Sequence, residues 1–413
     1  MRFAALAFLL AAPVYAQQTA APVQEPVAAP GTVEIDGAFL ARVKAHPVPA
    51  IASAVRTDAE WAMNVGPYSV MDKQDVPPSG SKHDYMSLAP YWWSNPDSKN
   101  GLPFVRRDGH VNPERYKVPD DREFNETRNA VHALALGYYF TGNEEYAKRA
   151  VLLLRTWFLN PATRMNPNLN YAQAVPGVNT GRGIGLIDVR EMPGVLDAIT
   201  LLSGSRAMTQ ADEAGLRNWF TQYLKWLTTS KNGKDEADAK NNHGSWYDQQ
   251  LVGIALFLGD KELARQTAET AKTKRIALQI RKDGSEPLEL ARTKSFSYSV
   301  FNLDALMRLA AEADELGVDL WSYRAPEGGS IRGALDYLVP FAVKKKEWKH
   351  EAIDSVDGSL LTEPLLLAAM HYKDADYLKL AEQVEKNPDV RTRLLRAEAE
   401  EMLGGQGSGR AER

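Results

Sequence analysis

Cysteine is absent from all 413 residues, which excludes disulfide scaffolds, thiol nucleophiles and thiolate metal sites. A chain of this length buries a large core without such staples. No apolar run approaches the ~20 residues needed to span a bilayer. There is no basic excess either: Lys+Arg number 49 against Asp+Glu 53, a net charge of −4, whereas general nucleic-acid binders carry a positive surplus. A polyanionic ligand would therefore meet a local basic groove and not a basic surface. The polar–apolar alternation that marks strands is also scarce.

Both ends are poor in core residues. Arg2, the apolar stretch 3–12 and Val14-Tyr15-Ala16 read as a cleavable export signal over residues 1–16, so a secreted or periplasmic protein is expected. Residues 17–32, rich in Ala, Pro and Gln, read as a flexible leader, and 404–413 as a disordered tail. One folded domain is expected over 33–403.

Within it, helical periodicity dominates. Apolar residues recur at i, i+3, i+4 and i+7 over 129–140, 145–158, 194–202, 211–227, 249–258, 261–280, 299–316, 333–343 and 364–371. Similar joints separate several of these runs: YYFTGNEEYA at 138–147, ALFLGDKELA at 255–264 and, more weakly, AMHYKDADYL at 369–378. In each, an apolar helix stops at Gly or Lys and an Asn or Asp caps the next. Repeated antiparallel pairs of this size close into an all-α (α/α)n toroid, an incomplete α/α barrel, or stack as a solenoid. Irregular aromatic-rich loops favour the toroid, whose concave end holds a long groove.

Four segments place polar and aromatic residues at helix ends. The first, HDYMSLAPYWW at 83–93, offers His83, Tyr85, Tyr91, Trp92 and Trp93. Its rings would stack on sugar faces or, as an alternative, plug the end of the barrel. The second, FNETRN at 124–129, reads as a helix start capped by Thr127, with Asn125 and Arg128 as candidate ligand contacts; Arg182 and Arg190 further along would hold a carboxylated ligand or pair with Asp188 and Glu191. The third, NNHGSWYD at 241–248, follows a charged loop (231–240) and concentrates donors at Asn242 and His243 beside Trp246 and Tyr247. The fourth, 286–299, puts two acids, two bases and a tyrosine before a helix, Arg292 and Tyr298 among them.

An imidazole, a phenol and a guanidinium without metal-ligand spacing suit β-elimination on a uronic acid. The C5 proton becomes removable once the neighbouring carboxylate is neutralised, because the intermediate places a second negative charge there. Asn, imidazolium and Arg donors stabilise that dianion as an oxyanion hole stabilises its own. A tyrosine, pKa ~10 when free, serves as base only where nearby cations lower that value. It then returns the proton to the departing O4.

The stretches NNHGSWY, RTxSxxYS and HDYMSLAPYWW together resemble the alginate lyase superfamily of α/α-toroid polysaccharide lyases, family 38 more than family 5. The resemblance spans most of 33–380. It implies a metal-independent lyase without cofactor, acting on an anionic polysaccharide, alginate or glucuronan. It also assigns Asn242, His243 and Arg292 to neutralising the uronate carboxylate, His243 to base duty for one epimer, and Tyr298 to catalysis. Gly244 and Ser245, between the histidine and the Trp-Tyr pair, depart from family 5.

Two rivals remain at this level. An α/α-toroid glycoside hydrolase needs two carboxyl groups about 5–9.5 Å apart across the cleaved bond, for which Asp188, Glu191, Asp248, Glu286 and Glu289 are candidates. A non-catalytic periplasmic polysaccharide binder would keep the aromatic platform and need neither Tyr298 nor His243.

Overall fold

The computed structural model describes residues 28–404. The expected export signal, most of the leader and all but the first residue of the tail lie outside that range. Helices α1 (Gly37–Ala45) and α2 (Pro49–Ala62) open the chain, and short strands β1 (Met86–Leu88), β2 (Trp92–Trp93) and β3 (Val105–Arg106) follow. Then come α3 (Asp120–Thr141), α4 (Glu144–Leu154), β4 (Tyr171–Ala174), α5 (Pro193–Leu202), α6 (Gln210–Thr229), α7 (Lys231–Ala237), α8 (Asn242–Leu258) and α9 (Lys261–Ala271). The rest is α10 (Ala277–Gln279), α11 (Pro287–Leu290), α12 (Ser295–Asp314), α13 (Ile331–Ala342), α14 (Thr362–Tyr372), α15 (Ala375–Val384) and α16 (Val390–Gly404).

The three repeated joints work as their residues dictate. Gly142 and Gly259 end α3 and α8 in the left-handed region, and Asn143 and Asp260 accept from the backbone N–H of Glu145 and Leu263. Lys373 takes the same conformation at φ 51°, which costs a side-chain-bearing residue roughly 1–2 kcal/mol. Asp374 then caps α15.

Packed pairs (α3 on α2, α4 and α5; α8 on α9 and α12; α14 on α15 and α16) wind into an all-α toroid that does not close as a barrel. Two apolar cores fill it. Leu251 and Ile254 of α8 belong to one, Val252 and Ala255 to the other, so α8 is a wall shared by both. β1 pairs in parallel with β4, and β2 antiparallel with β3.

Three expectations need correction. Helix α3 begins at Asp120, nine residues before the periodic run, so Thr127 is a buried mid-helix residue and not a cap. The acidic first turn (Asp120, Asp121, Glu123) meets the helix dipole instead. The charged stretch 231–240 is not all loop: Ser230 caps α7, which buries Glu236. The run 261–280 is not one helix but α9, a π-helical turn (Lys272–Ile276) and α10.

Candidate active site

A groove of about 1010 Å³ lies where the first turns of α8 and α12 meet the β1–β3 region. Asn242 and His243 start α8, Tyr298 sits in the first turn of α12, and Arg292 comes from the turn before it. All four line the groove, together with Tyr91, Trp92, Asn125, Arg182 and Arg190.

The Tyr298 hydroxyl donates to the Tyr91 oxygen at 2.7 Å. The Arg292 guanidinium lies 3.7 Å from the centre of the Tyr298 ring. Burial, and next the Tyr91 hydroxyl, push the Tyr298 phenol well above its ordinary value, and Arg292 only partly opposes them. The sequence-based requirement that cations lower this tyrosine is therefore not met without ligand. Arg292 is itself gripped by Asp108, with Nε 3.0 Å from Oδ2 and Nη2 2.8 Å from Oδ1. Burial alone would raise the Asp108 carboxyl, but hydrogen bonds from Arg292 and Thr293 hold it well below the usual range.

His243 places Nδ1 2.8 Å from Oε1 of the buried Glu236. A carboxylate there fixes the tautomer with hydrogen on Nδ1 and leaves Nε2 for a ligand. Asn242 is buried and committed to Glu289: its backbone N–H donates at 2.7 Å, and its side-chain nitrogen lies 2.9 and 2.8 Å from the two oxygens. A carboxylate only accepts, so it draws the NH₂ group inward. Among the described residues Oδ1 of Asn242 has no hydrogen-bond partner. Sequence reasoning offered Asn242 as a donor; this geometry offers an acceptor.

Asp188 accepts from Tyr85 at 3.1 Å, Ser87 at 2.5 Å and Gln173 at 2.8 Å. Gln173, buried with a left-handed φ of 49°, also accepts from Arg182 at 2.9 Å. A glutamine held in this strained conformation at a groove is an outlier of the kind that function retains. Burial lowers Arg182 to about 10, with Asp188 opposing. The Nε atoms of Arg182 and Arg190 are buried without a partner among the described residues.

Several expected contacts lie elsewhere. Tyr85 is fully buried, and His83 turns away to the Arg164 carbonyl at 2.6 Å. Trp93 points its Nε1 to the His110 carbonyl at 2.9 Å while its neighbour Trp92 faces the groove, as adjacent strand residues must. Arg128 pairs with Glu191 at 2.6 Å and lines a separate cavity. Trp246 and Tyr247 are 2% and 7% exposed, carried by the turn of α8 into contact with Phe301 and the Leu227 carbonyl. The hydrolase reading loses its acids: of its five candidates only Asp188 lines the groove, Asp248 being tied to Arg275 and Glu286 and Glu289 buried. Glu236, Asp108, Gln173 and Phe301 were not identified as site residues from sequence. Glu236 alone left a signal, an acid seven residues before the histidine.

Residues 69–348 match the family model described as alginate lyase. A solved alginate lyase from Bacteroides ovatus is 38% identical, with a TM-score of 0.85 over 89% of this chain and 99% of that one. Alginate lyase A1-III from Sphingomonas species A1 is 18% identical, with a TM-score of 0.53 over 90% and 100%, and shares the fold. A Tyr-to-Phe variant of that enzyme, complexed with tetrasaccharide, superposes at 18% identity and a TM-score of 0.53 over 89% and 99%. No curated protein matches the chain.

Proposed function

The chain belongs to the alginate lyase family and is a polysaccharide lyase, and we propose that it cleaves alginate, with glucuronan as the second candidate, by β-elimination in the groove at Tyr298. The observation that carries this reading is the meeting of Tyr298, Arg292 and His243 around one cavity large enough for several sugar rings. An oligosaccharide-bound relative of the same fold supports an anionic polysaccharide as ligand.

In this reading the uronate carboxylate binds Arg292 through the nitrogen that Asp108 leaves free, and the imidazolium form of His243 through its Nε2–H. The C5 proton passes to a base, its electron pair forms the C4=C5 double bond, the C4–O4 bond breaks, and O4 takes a proton. Tyr298 rests protonated, because burial favours the neutral phenol, so it is ready as the acid. It also serves as base in the fraction of molecules that has released the phenol proton to solvent, taking the C5 proton and passing it to O4. For the epimer whose C5 hydrogen lies on the other face, neutral His243 takes the proton and Tyr298 still delivers one to O4. Asn242 joins in neutralising the carboxylate only with Glu289 protonated, since its NH₂ group is otherwise held inward; burial pushes Glu289 in that direction. Arg182, its charge incompletely matched and Trp92 at 5.9 Å, receives the carboxylate of a neighbouring sugar.

Export through the segment ending at Ala16 is part of the same proposal; no described helix is long and apolar enough to cross a membrane. The test is ultraviolet absorbance of the unsaturated uronate on polymannuronate, polyguluronate and polyglucuronate, for wild type, Tyr298→Phe and His243→Ala. Loss on every polymer with Tyr298→Phe, and on a subset with His243→Ala, is expected. Reducing-sugar release without absorbance would replace the lyase reaction with hydrolysis.

A further inference from the structure

Arg275 is buried among groups that lie behind the groove. It is 1% exposed and comes from the π-helical turn after α9. Its Nε and Nη2 lie 2.7 and 2.9 Å from the two oxygens of Asp248, in the second turn of α8. Nη1 donates to the Ala239 carbonyl and Nη2 to the Ala237 carbonyl, both at 2.8 Å. These carbonyls belong to the end of α7 and the link to α8, groups that a helix terminus leaves without intrahelical partners. Gly244 makes room: a Cβ there would stand 2.5 Å from Arg275 Nη1 and 2.3 Å from the Ala239 oxygen.

One guanidinium thus joins the end of α7 to the start of α8, and the two residues flanking the joint are Glu236 and His243. We propose that Arg275 is a positioning residue for the reaction, its bracket between α7 and α8 setting the Glu236–His243 contact that orients the imidazole. The inference rests on the role proposed for His243. A lysine cannot replace the bracket, because a single ammonium does not span two carbonyls and a carboxylate in one plane.

The experiment compares Arg275→Lys with Asp248→Asn in the full chain, following kcat, KM, Tm and the His243 Nδ1 proton in ¹⁵N-histidine NMR. Asp248→Asn keeps both carbonyl contacts, so it should lower Tm while kcat stays within about threefold and the Nδ1 signal persists. Arg275→Lys should lower kcat by about tenfold to a hundredfold, the scale of a misplaced group, with KM nearly kept and the Nδ1 signal lost. If Arg275→Lys does not fold, the pair Arg275→Gln with Asp248→Asn removes both charges together and leaves none unpaired; the same loss of kcat and signal is expected. Rates that track Tm alone across these variants, or an unchanged Nδ1 signal without the arginine, would overturn the inference. An active His243→Ala would instead defeat the reading of the site, whatever Arg275 does.

Discussion

Tyr298 and Tyr91 form a phenol–phenol hydrogen bond of 2.7 Å, reached across 207 positions of sequence. Burial of Tyr298 makes its neutral phenol the resting state. Tyr91 therefore fixes the hydroxyl of Tyr298 without activating it. Activation has to come from the ligand's arrival, or the base is another group.

Removing the Tyr298 hydroxyl tests the acid role directly. Tyr298→Phe keeps the ring under Arg292 and should lower kcat by at least about 10²–10⁴-fold, the range for a lost general acid or base, with KM little changed. Tyr91→Phe removes only the acceptor that orients it and should cost less, roughly tenfold or below. A Tyr298→Phe variant with more than about a tenth of wild-type turnover would remove the tyrosine from the chemistry.

The pH dependence separates the two candidate bases. A phenol pushed above ~10 exists as phenolate in under about one part in a thousand at pH 7, a fraction that grows tenfold per pH unit. Where Tyr298 is the base, kcat/KM should climb steeply from about pH 7 to 9. On a polymer for which Tyr298 is only the acid, no such climb from phenolate formation is expected, since the phenol stays protonated across that window. Stopped-flow absorbance on the three homopolymers reads this out. Flat profiles on all three would eliminate Tyr298 as base.

Much of the toroid was legible because its helices bury apolar stripes, and the nine periodic runs all lie within or largely within helices. Their starts were not legible, for one physical reason. The first turns of α3, α8 and α12 bury polar groups, among them Glu123, Asn242, Ser245 and Ser295, which break the apolar period. At the site, Tyr91, Trp92, His243, Arg292 and Tyr298 stood out as dense polar and aromatic clusters. Their partners did not, since Asp108 meets Arg292 across 184 positions and Asn242 meets Glu289 across 47. Gln173 escaped because its distinction is a backbone angle, not a residue type.

Two buried glutamates, Glu286 beside Asn302 and Glu289 beside Asn242, should respond unequally to the same substitution. Asn302 donates to Oε1 of Glu286 at 2.9 Å, while Oε2 of Glu286 and Oδ1 of Asn302 are both buried without partners among the described residues. Two acceptors without a donor make sense if a proton sits on Glu286, and burial together with Glu289 pushes that carboxyl well up. Glu286→Gln should then be neutral within about 1 kcal/mol. Glu289→Gln faces the three donors of Asn242 with one oxygen and an NH₂ group, so a loss of about 1–3 kcal/mol is expected, with kcat falling as Asn242 shifts. Denaturant melts and initial rates decide it, and equal effects of the two substitutions would refute the assignment.

Asp197 ties the start of the described chain to the core and should make stability fall as pH rises. Its carboxylate, fully buried on α5, accepts from the backbone N–H of Val33 at 2.5 Å and of Glu34 at 3.1 Å. Those donors favour the ionised form, but burial, and next Glu34, outweigh them and raise the group to about 7. A folded-state value above the unfolded ~3.9 means that the folded protein binds the proton more tightly. The stabilisation is complete below about pH 4 and is lost as pH rises through 7. The gap corresponds to roughly 4 kcal/mol at most. The side-chain amide in Asp197→Asn cannot ionise but cannot accept both N–H groups either, so the variant should be less stable than wild type near pH 5. The difference should shrink, or change sign, by about pH 8. Thermal melts of both proteins across that range give the answer, and a gap in Tm that stays constant or widens with pH would show that Asp197 is ionised throughout.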